Sequence, residues 1–217
     1  MKYSFLILFL FTSLVFATGQ SNIRFKRLTT EEGEDIVGVQ KFFKDSHGYI
    51  WMGSSAFDLL RFDGRNFRRY GQPQLQTDYF KSIRAWLIFE DLKKNLWNGT
   101  DAGALMRYDE KLDRFQVVND SSTSIKSLLF CQVEDKNGNF WIGSLGGGLI
   151  RYHPETKEFT HFKAEANNSE TLPDNFITGL VLDSSGLLCI STTVGLCSYK
   201  LQTNQFERDL FTNNNSK

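Results

Sequence analysis

The chain has 217 residues, a length for one or two domains. Its 25 basic and 25 acidic side chains balance, so it lacks the electrostatic footprint of a nucleic-acid or anionic-membrane binder. Twenty phenylalanines, only three prolines and no long Ala/Glu/Lys/Leu stretch at helical period point away from a helical bundle and toward half-buried pleated sheet.

Residues 1–19 read as a secretory signal peptide. Lys2 supplies the positive end, residues 6–16 the apolar core, and Ala17-Thr-Gly-Gln20 the small residues that cleavage needs. The core is short for a membrane span, although an N-terminal anchor is the competing reading. No cysteine follows it for lipid attachment, and no second hydrophobic segment returns the chain to a membrane. The mature protein is expected to be periplasmic or secreted, with no membrane span after cleavage.

A repeat then governs the chain. Asp45-Ser-His-Gly-Tyr-Ile-Trp51-Met-Gly53 recurs as Asp91…Trp97-Asn-Gly99, as Asp135-Lys-Asn-Gly-Asn-Phe-Trp141-Ile-Gly143, and in worn form as Asp183-Ser-Ser-Gly-Leu-Leu-Cys189-Ile-Ser191. The aspartates stand 46, 44 and 48 residues apart. A turn-rich, aromatic unit of that period predicts an all-β chain of propeller blades, each of four antiparallel strands. The units span about 35–72, 80–118, 125–163 and 174–210, and 211–217 is a polar tail.

Within a unit, strand A is the apolar run before the aspartate (36–43, 83–89, 128–133, 176–182). The aspartate opens a tight turn by accepting backbone N–H bonds, and Gly48, Gly138 and Gly186 supply the positive φ. Lys94 replaces that glycine in the second unit, where Asn95 is expected to take the left-handed position. Strand B carries the tryptophan and, two residues on, a glycine that leaves room for the next blade. Strand C carries Arg61, Arg107 and Arg151 in register, expected partners of acids or carbonyls. Strand D carries Phe67, Phe115, Phe159 and Phe206.

Recurrence separates scaffold from candidate site. A tryptophan that returns in successive units is packing more often than a sugar platform, and the repeated aspartates are turn residues. Trp86, in strand A, lies outside the series and has no such account. Asp58, Asp101 and Asp174 break the pattern, as a catalytic group would, but the sequence pairs them with nothing. The polar connection 163–175 is a candidate binding loop or a tolerated insertion. Leu145-Gly-Gly-Gly148 is not followed by the Lys-Ser/Thr of a phosphate loop. Cys131, Cys189 and Cys197 have no metal-ligand spacing; Cys189 and Cys197 either face each other across a hairpin as a disulfide or are small core residues. Asn98, Asn119, Asn167 and Asn214 begin glycosylation sequons. No catalytic, cofactor-binding or metal-binding residue is assigned, and ligand-binding residues are left open.

Residues 20–34 contain Asn22-Ile-Arg-Phe-Lys-Arg-Leu28, which resembles a strand D with no inner strands before it. Propellers often close by letting a terminal strand complete the last blade, yet the fourth unit here already has its own outer strand. The expectation is an N-terminal piece of a larger propeller, with exposed faces and a tendency to self-associate.

With the repeat written out, the chain resembles the two-component regulator propeller family. Asp135-Lys-Asn-Gly-Asn-Phe-Trp-Ile-Gly-Ser144 with Gly148-Leu-Ile-Arg-Tyr152 matches the family's blade signature closely. Asp58, Lys94, Ala104 and Cys189 are departures from it. The resemblance covers roughly 25–206 and implies the periplasmic sensor half of a hybrid histidine kinase. It implies an oligosaccharide ligand, and further blades or the kinase protein as partners. No phosphoacceptor motif or ATP-binding glycine box occurs, and His47, His153 and His161 fall in turns or an outer strand. On this reading the chain senses and does not catalyse. A secreted interaction scaffold is the alternative, and a propeller lyase or hydrolase the next.

Overall fold

The computed structural model describes residues 27–30, 33–56, 58–70, 84–119 and 125–208. The expected signal segment, most of the unmatched strand (22–26) and the tail at 211–217 lie outside these residues. Among the described residues no helix is long and apolar enough to cross a membrane.

Sixteen strands form four separate antiparallel sheets, each built from four consecutive strands. The first sheet holds β1 (Val39–Lys44), β2 (Ile50–Ser54), β3 (Asp58–Phe62) and β4 (Phe67–Tyr70). The second holds β5 (Ala85–Glu90), β6 (Leu96–Thr100), β7 (Leu105–Asp109) and β8 (Arg114–Val117). The third holds β9 (Leu128–Glu134), β10 (Phe140–Leu145), β11 (Gly148–His153) and β12 (Glu158–Phe162). The fourth holds β13 (Ile177–Leu182), β14 (Leu187–Thr192), β15 (Gly195–Lys200) and β16 (Gln205–Glu207). Neighbouring sheets approach through their first two strands, so the four fan outward from an inner edge made of β1, β5, β9 and β13.

The turn between the first two strands is built the same way four times. The Asp45 carbonyl accepts Gly48 N–H at 3.0 Å, and the corresponding bonds run from Lys94 to Asp91, Gly138 to Asp135 and Gly186 to Asp183. Each aspartate side chain also takes the amide four residues on, those of Tyr49, Asn95, Asn139 and Leu187. In three sheets the other carboxylate oxygen receives an indole N–H: Trp51 at 2.7 Å, Trp97 at 3.0 Å and Trp141 at 2.9 Å. One carboxylate therefore closes a turn and fixes the ring six residues later. Lys94 itself adopts the left-handed backbone, at φ 67°, which corrects the expectation that Asn95 would do so. Asn95 is occupied instead, its side chain bonding Asp91 and Arg107.

Those rings pack between sheets. Trp51, Trp97 and Trp141 are 0%, 2% and 1% exposed, each turned toward the following sheet. Trp97 meets Phe140 of the third sheet edge-on at 5.0 Å, and Trp141 meets Tyr199 of the fourth at 5.2 Å. The glycines two residues on have the role that their recurrence suggests. A Cβ on Gly53 would stand 2.1 Å from the Ala85 carbonyl oxygen, and one on Gly143 2.5 Å from Ile177.

The arginines have a different partner from the one expected. Cross-strand register sets Arg61 opposite Trp51, Arg107 opposite Trp97 and Arg151 opposite Trp141. Each guanidinium lies over its indole, at 5.6, 5.9 and 5.7 Å from the ring centre. The repeated contact is thus cation on aromatic face. Arg61 alone adds an acid, Asp113, at 3.6 Å.

The fourth sheet departs from this scheme. Cys189 stands where the tryptophan would be, Ser198 where the arginine would be and Ser191 where the glycine would be. Cys189 pairs with Ser198 and Cys197 with Ile190, so the two cysteines occupy opposite faces of the sheet. They form no disulfide, and all three cysteines are free thiols. Burial raises the Cys131 and Cys197 thiols, each to about 11.

Candidate functional site

A β-bulge interrupts the pairing of the first strand in every sheet, between Val39 and Lys41, Ala85 and Leu87, Leu129 and Cys131, and Ile177 and Gly179. The four extra residues, Gln40, Trp86, Phe130 and Thr178, hold equivalent positions on the inner edge. A bulge re-aims its side chain away from the pleat's packing faces, which frees it from the constraint that makes other positions repeat. Their identities vary accordingly. Trp86 and Phe130 are only partly buried, whereas Gln40 and Thr178 are exposed. Lys41 reaches from the first sheet to the third, with Nζ 4.9 Å from the centre of the Phe130 ring. This is the place of the tryptophan that the repeat left unexplained.

The bulges lie near the loops that join second and third strands, and the pattern-breaking aspartates gather at that same end. Asp58 occupies the position of Gly148 and Gly195 and keeps a left-handed backbone, at φ 62°. Burial, reinforced weakly by Asp101, holds its carboxyl above the usual range against the pull of Arg69 and Arg84. Asp101 pairs with Arg84 at 3.1 Å, and one of its carboxylate oxygens is buried without a hydrogen bond. Asp174 accepts the Thr193 hydroxyl. Aromatic faces, amide and hydroxyl groups and carboxylates at one end can stack on and hydrogen-bond a polyhydroxylated ligand.

Other candidates resolve into structure. Connection 163–175 buries Leu172 completely, and Arg208 donates to the carbonyls of Asn168, Thr171 and Leu172. Asn98 is buried in a strand, so its sequon is closed to modification. Asn119 is a buried brace, accepting from Leu105 N–H and donating to the Gly103 carbonyl; Asn167 is exposed, and Asn214 lies outside the described residues. Asp45, His47 and Glu90 come close enough to suggest a metal centre. However, the Asp45 oxygens already hold Tyr49 N–H and the Trp51 indole, and Glu90 accepts both the amide and hydroxyl of Ser46. Between the first two sheets, Asp113 accepts the hydroxyls of Tyr70 and Tyr108 and pairs with Arg68. Burial alone would raise the Asp113 carboxyl, but those hydroxyls and the guanidiniums of Arg68 and Arg61 outweigh it and hold it below its ordinary value.

Four radial four-stranded sheets joined in chain order decide the architecture. It is a β-propeller. No protein-family model and no curated protein matches the chain. Solved propellers do. The extracellular domain of the hybrid two-component system BT4673 from B. thetaiotaomicron aligns at TM-score 0.63 and 23% identity, over 82% of this chain and 22% of that one. The corresponding domain of BT3049 from the same organism gives 0.61 and 17%, over 87% and 24%. Virginiamycin B lyase from Staphylococcus aureus, in a catalytically inactive form with quinupristin, gives 0.55 and 13%, over 82% and 60%. The propeller described here therefore spans less than a quarter of the length of the two sensor domains it matches.

Proposed function

We propose that this protein is an exported, ligand-sensing propeller segment of a two-component regulatory system, responsive to a glycan and without catalytic chemistry of its own. The blade signature supports membership of the two-component regulator propeller family. The likeness to extracellular domains of two-component systems points the same way. Residues 1–19 act as the export signal, and the working location is the periplasm or the cell exterior. Transmission of the signal belongs to a kinase partner.

Both outer faces favour further blades in the working assembly. On the first sheet Phe42 is 68% exposed, and on the fourth Val181 and Leu196 are 66% and 46% exposed. Apolar side chains in the same register are covered by a neighbour at each internal interface. Uncovered, these faces would drive self-association.

The observation that carries the ligand reading is the contrast among tryptophans. Three are sealed between sheets, whereas Trp86 stands on a bulge at the inner edge beside the aspartates that break the repeat. Titration of the chain with oligosaccharides, followed by calorimetry, should identify a binder. Trp86→Ala should then weaken binding by about tenfold or more, in the range of an aromatic–sugar contact worth ~1.4 kcal/mol, without lowering the thermal midpoint. Unchanged affinity in that variant would remove Trp86 from the site, and silence across glycan classes would favour the interaction-scaffold reading.

A further inference from the structure

The opposite end of the blades, where the aspartate turns lie, carries a groove of about 830 Å³ between the second and third sheets. That volume falls within the usual span of small-ligand sites. The chain as a whole is neutral, but the groove is not. Five cationic side chains, Lys93, Lys94, Arg107, Lys111 and Lys157, line it against two carboxylates, Asp109 and Glu110. Lys93 is neutralised by an ion pair with Glu155. Among the described residues, the ammonium groups of Lys94, Lys111 and Lys157 have no hydrogen-bonding or ion-pair partner. Asp109 is already committed to the amides of Lys111 and Leu112 and to Gln116.

Two of these lysines are held in an unfavourable backbone conformation. Lys94 has φ 67° where the other three sheets have Gly48, Gly138 and Gly186. Lys157 has φ 61° at a turn position that the neighbouring sheets give to Asp113 and Asn204, residue types that tolerate the left-handed region better. These lysines come from two different turns, on two different sheets, and line one groove. Backbone strain kept at a site is a pointer to function. Arg107 adds a third departure: of the three arginines stacked on tryptophans, it alone is exposed, and it lines the same groove. The Gln116 amide and the hydroxyls of Tyr108 and Tyr152 supply neutral hydrogen-bonding groups along the walls.

We propose that this groove is a second binding site, for an acidic oligosaccharide carrying carboxylate or sulfate groups. The cations bind its anionic substituents, and the amide and phenol groups bind its hydroxyls. The site is separate from the inner-edge site at the other end of the blades.

The test uses the whole exported chain and three probes of equal length: a uronate oligosaccharide, a sulfated oligosaccharide and a neutral one. At least one acidic probe should bind, more tightly than the neutral probe, and raising salt from 0.05 to ~0.5 M should weaken it severalfold through screening. Lys94→Gly combined with Lys157→Gly should weaken acidic-probe binding by about tenfold or more while the thermal midpoint stays level or rises, because both changes relieve backbone strain. Trp86→Ala should leave this binding unchanged. Which acidic probe wins identifies the anionic group. Equal binding of the neutral probe, no binding of either acidic probe, or an unaffected double variant would overturn the proposal. Neutral-probe binding that is lost in Trp86→Ala and kept in the double variant would sustain the inner-edge site while overturning this one. An acidic peptide of equal charge that binds as tightly as the oligosaccharides would overturn the saccharide assignment.

Discussion

The first three sheets and the fourth treat the same face in opposite ways. Sheets one to three each turn a tryptophan, a stacked arginine and a bare glycine toward the sheet that follows. The fourth presents Cys189, Ser198 and Ser191 at those positions. Its turn aspartate, without an indole to hold, receives the Ser185 hydroxyl at 2.7 Å instead. The Gly–Cys pair of the third sheet (Gly143 with Cys131) is reversed in the fourth, where Ser191 lies opposite Gly179. The comparison separates two jobs within one motif. Closing the turn needs only the aspartate, whereas gripping the next sheet needs the ring, the guanidinium and the absent side chain together.

The strongest way to break this account is to remove a ring. Trp97→Ala should cost roughly 3–5 kcal/mol, since Trp97 is sealed against Phe140 and Tyr152 of the next sheet and leaves Asp91 without its indole donor. Urea unfolding measures it, and a loss below about 1 kcal/mol would mean that the interface does not depend on the ring. Next comes the glycine. Gly143→Ala drives a methyl to 2.5 Å from Ile177 and 2.6 Å from the Cys131 sulfur, an overpacking expected to cost about 1–3 kcal/mol. Ser191→Ala, at the matching position of the fourth sheet, should change stability by no more than ~0.5 kcal/mol. Equal effects at the two positions would erase the distinction between a covered and an uncovered face.

The smallest expected effect concerns the first interface, which alone has an ion-paired lock. Asp113 is held below its unfolded value of 3.8, so its stabilising contribution is present above that pH and is lost as pH falls through the lower folded value. Asp113→Asn should therefore lower the thermal midpoint at pH 7, and the gap from the parent should close below about pH 3.8. A gap that stays constant through the acid range would show that the carboxylate charge is not what the lock uses.

The recurring parts of this fold were legible because packing repeats. Strand order, the aspartate turn and the sealed tryptophans follow from spacing alone, and the glycine's purpose follows from its place two residues beyond the ring. What the sequence hid depends on register and on which sheet meets which. Arg61 lies over Trp51 because the hairpin aligns them, and no spacing rule separates that partner from an acid. Cys189 and Cys197 look like hairpin partners until a one-residue offset assigns them to opposite faces. Trp86 was visible as an exception, but its meaning needed the bulge, which appears only when the two strands are paired. The lysine groove draws on turns more than sixty residues apart in sequence, Lys94 and Lys157, and only the fan of sheets brings them to one cleft.

The forward-facing tryptophan gives assembly a direction. Each sheet is complete in its own hydrogen bonds, made between consecutive strands, so it can form from a short stretch of chain with little loop-closure cost. Its largest ring nevertheless stays wet until the next stretch has folded against it. Structure therefore accumulates from the N-terminal side, with each new sheet quenching the sticky surface of the one before, as suits a polypeptide that emerges and folds from one end. At the fourth sheet the surface left waiting carries a thiol and two hydroxyls in place of an indole, and the growing edge is least adhesive there.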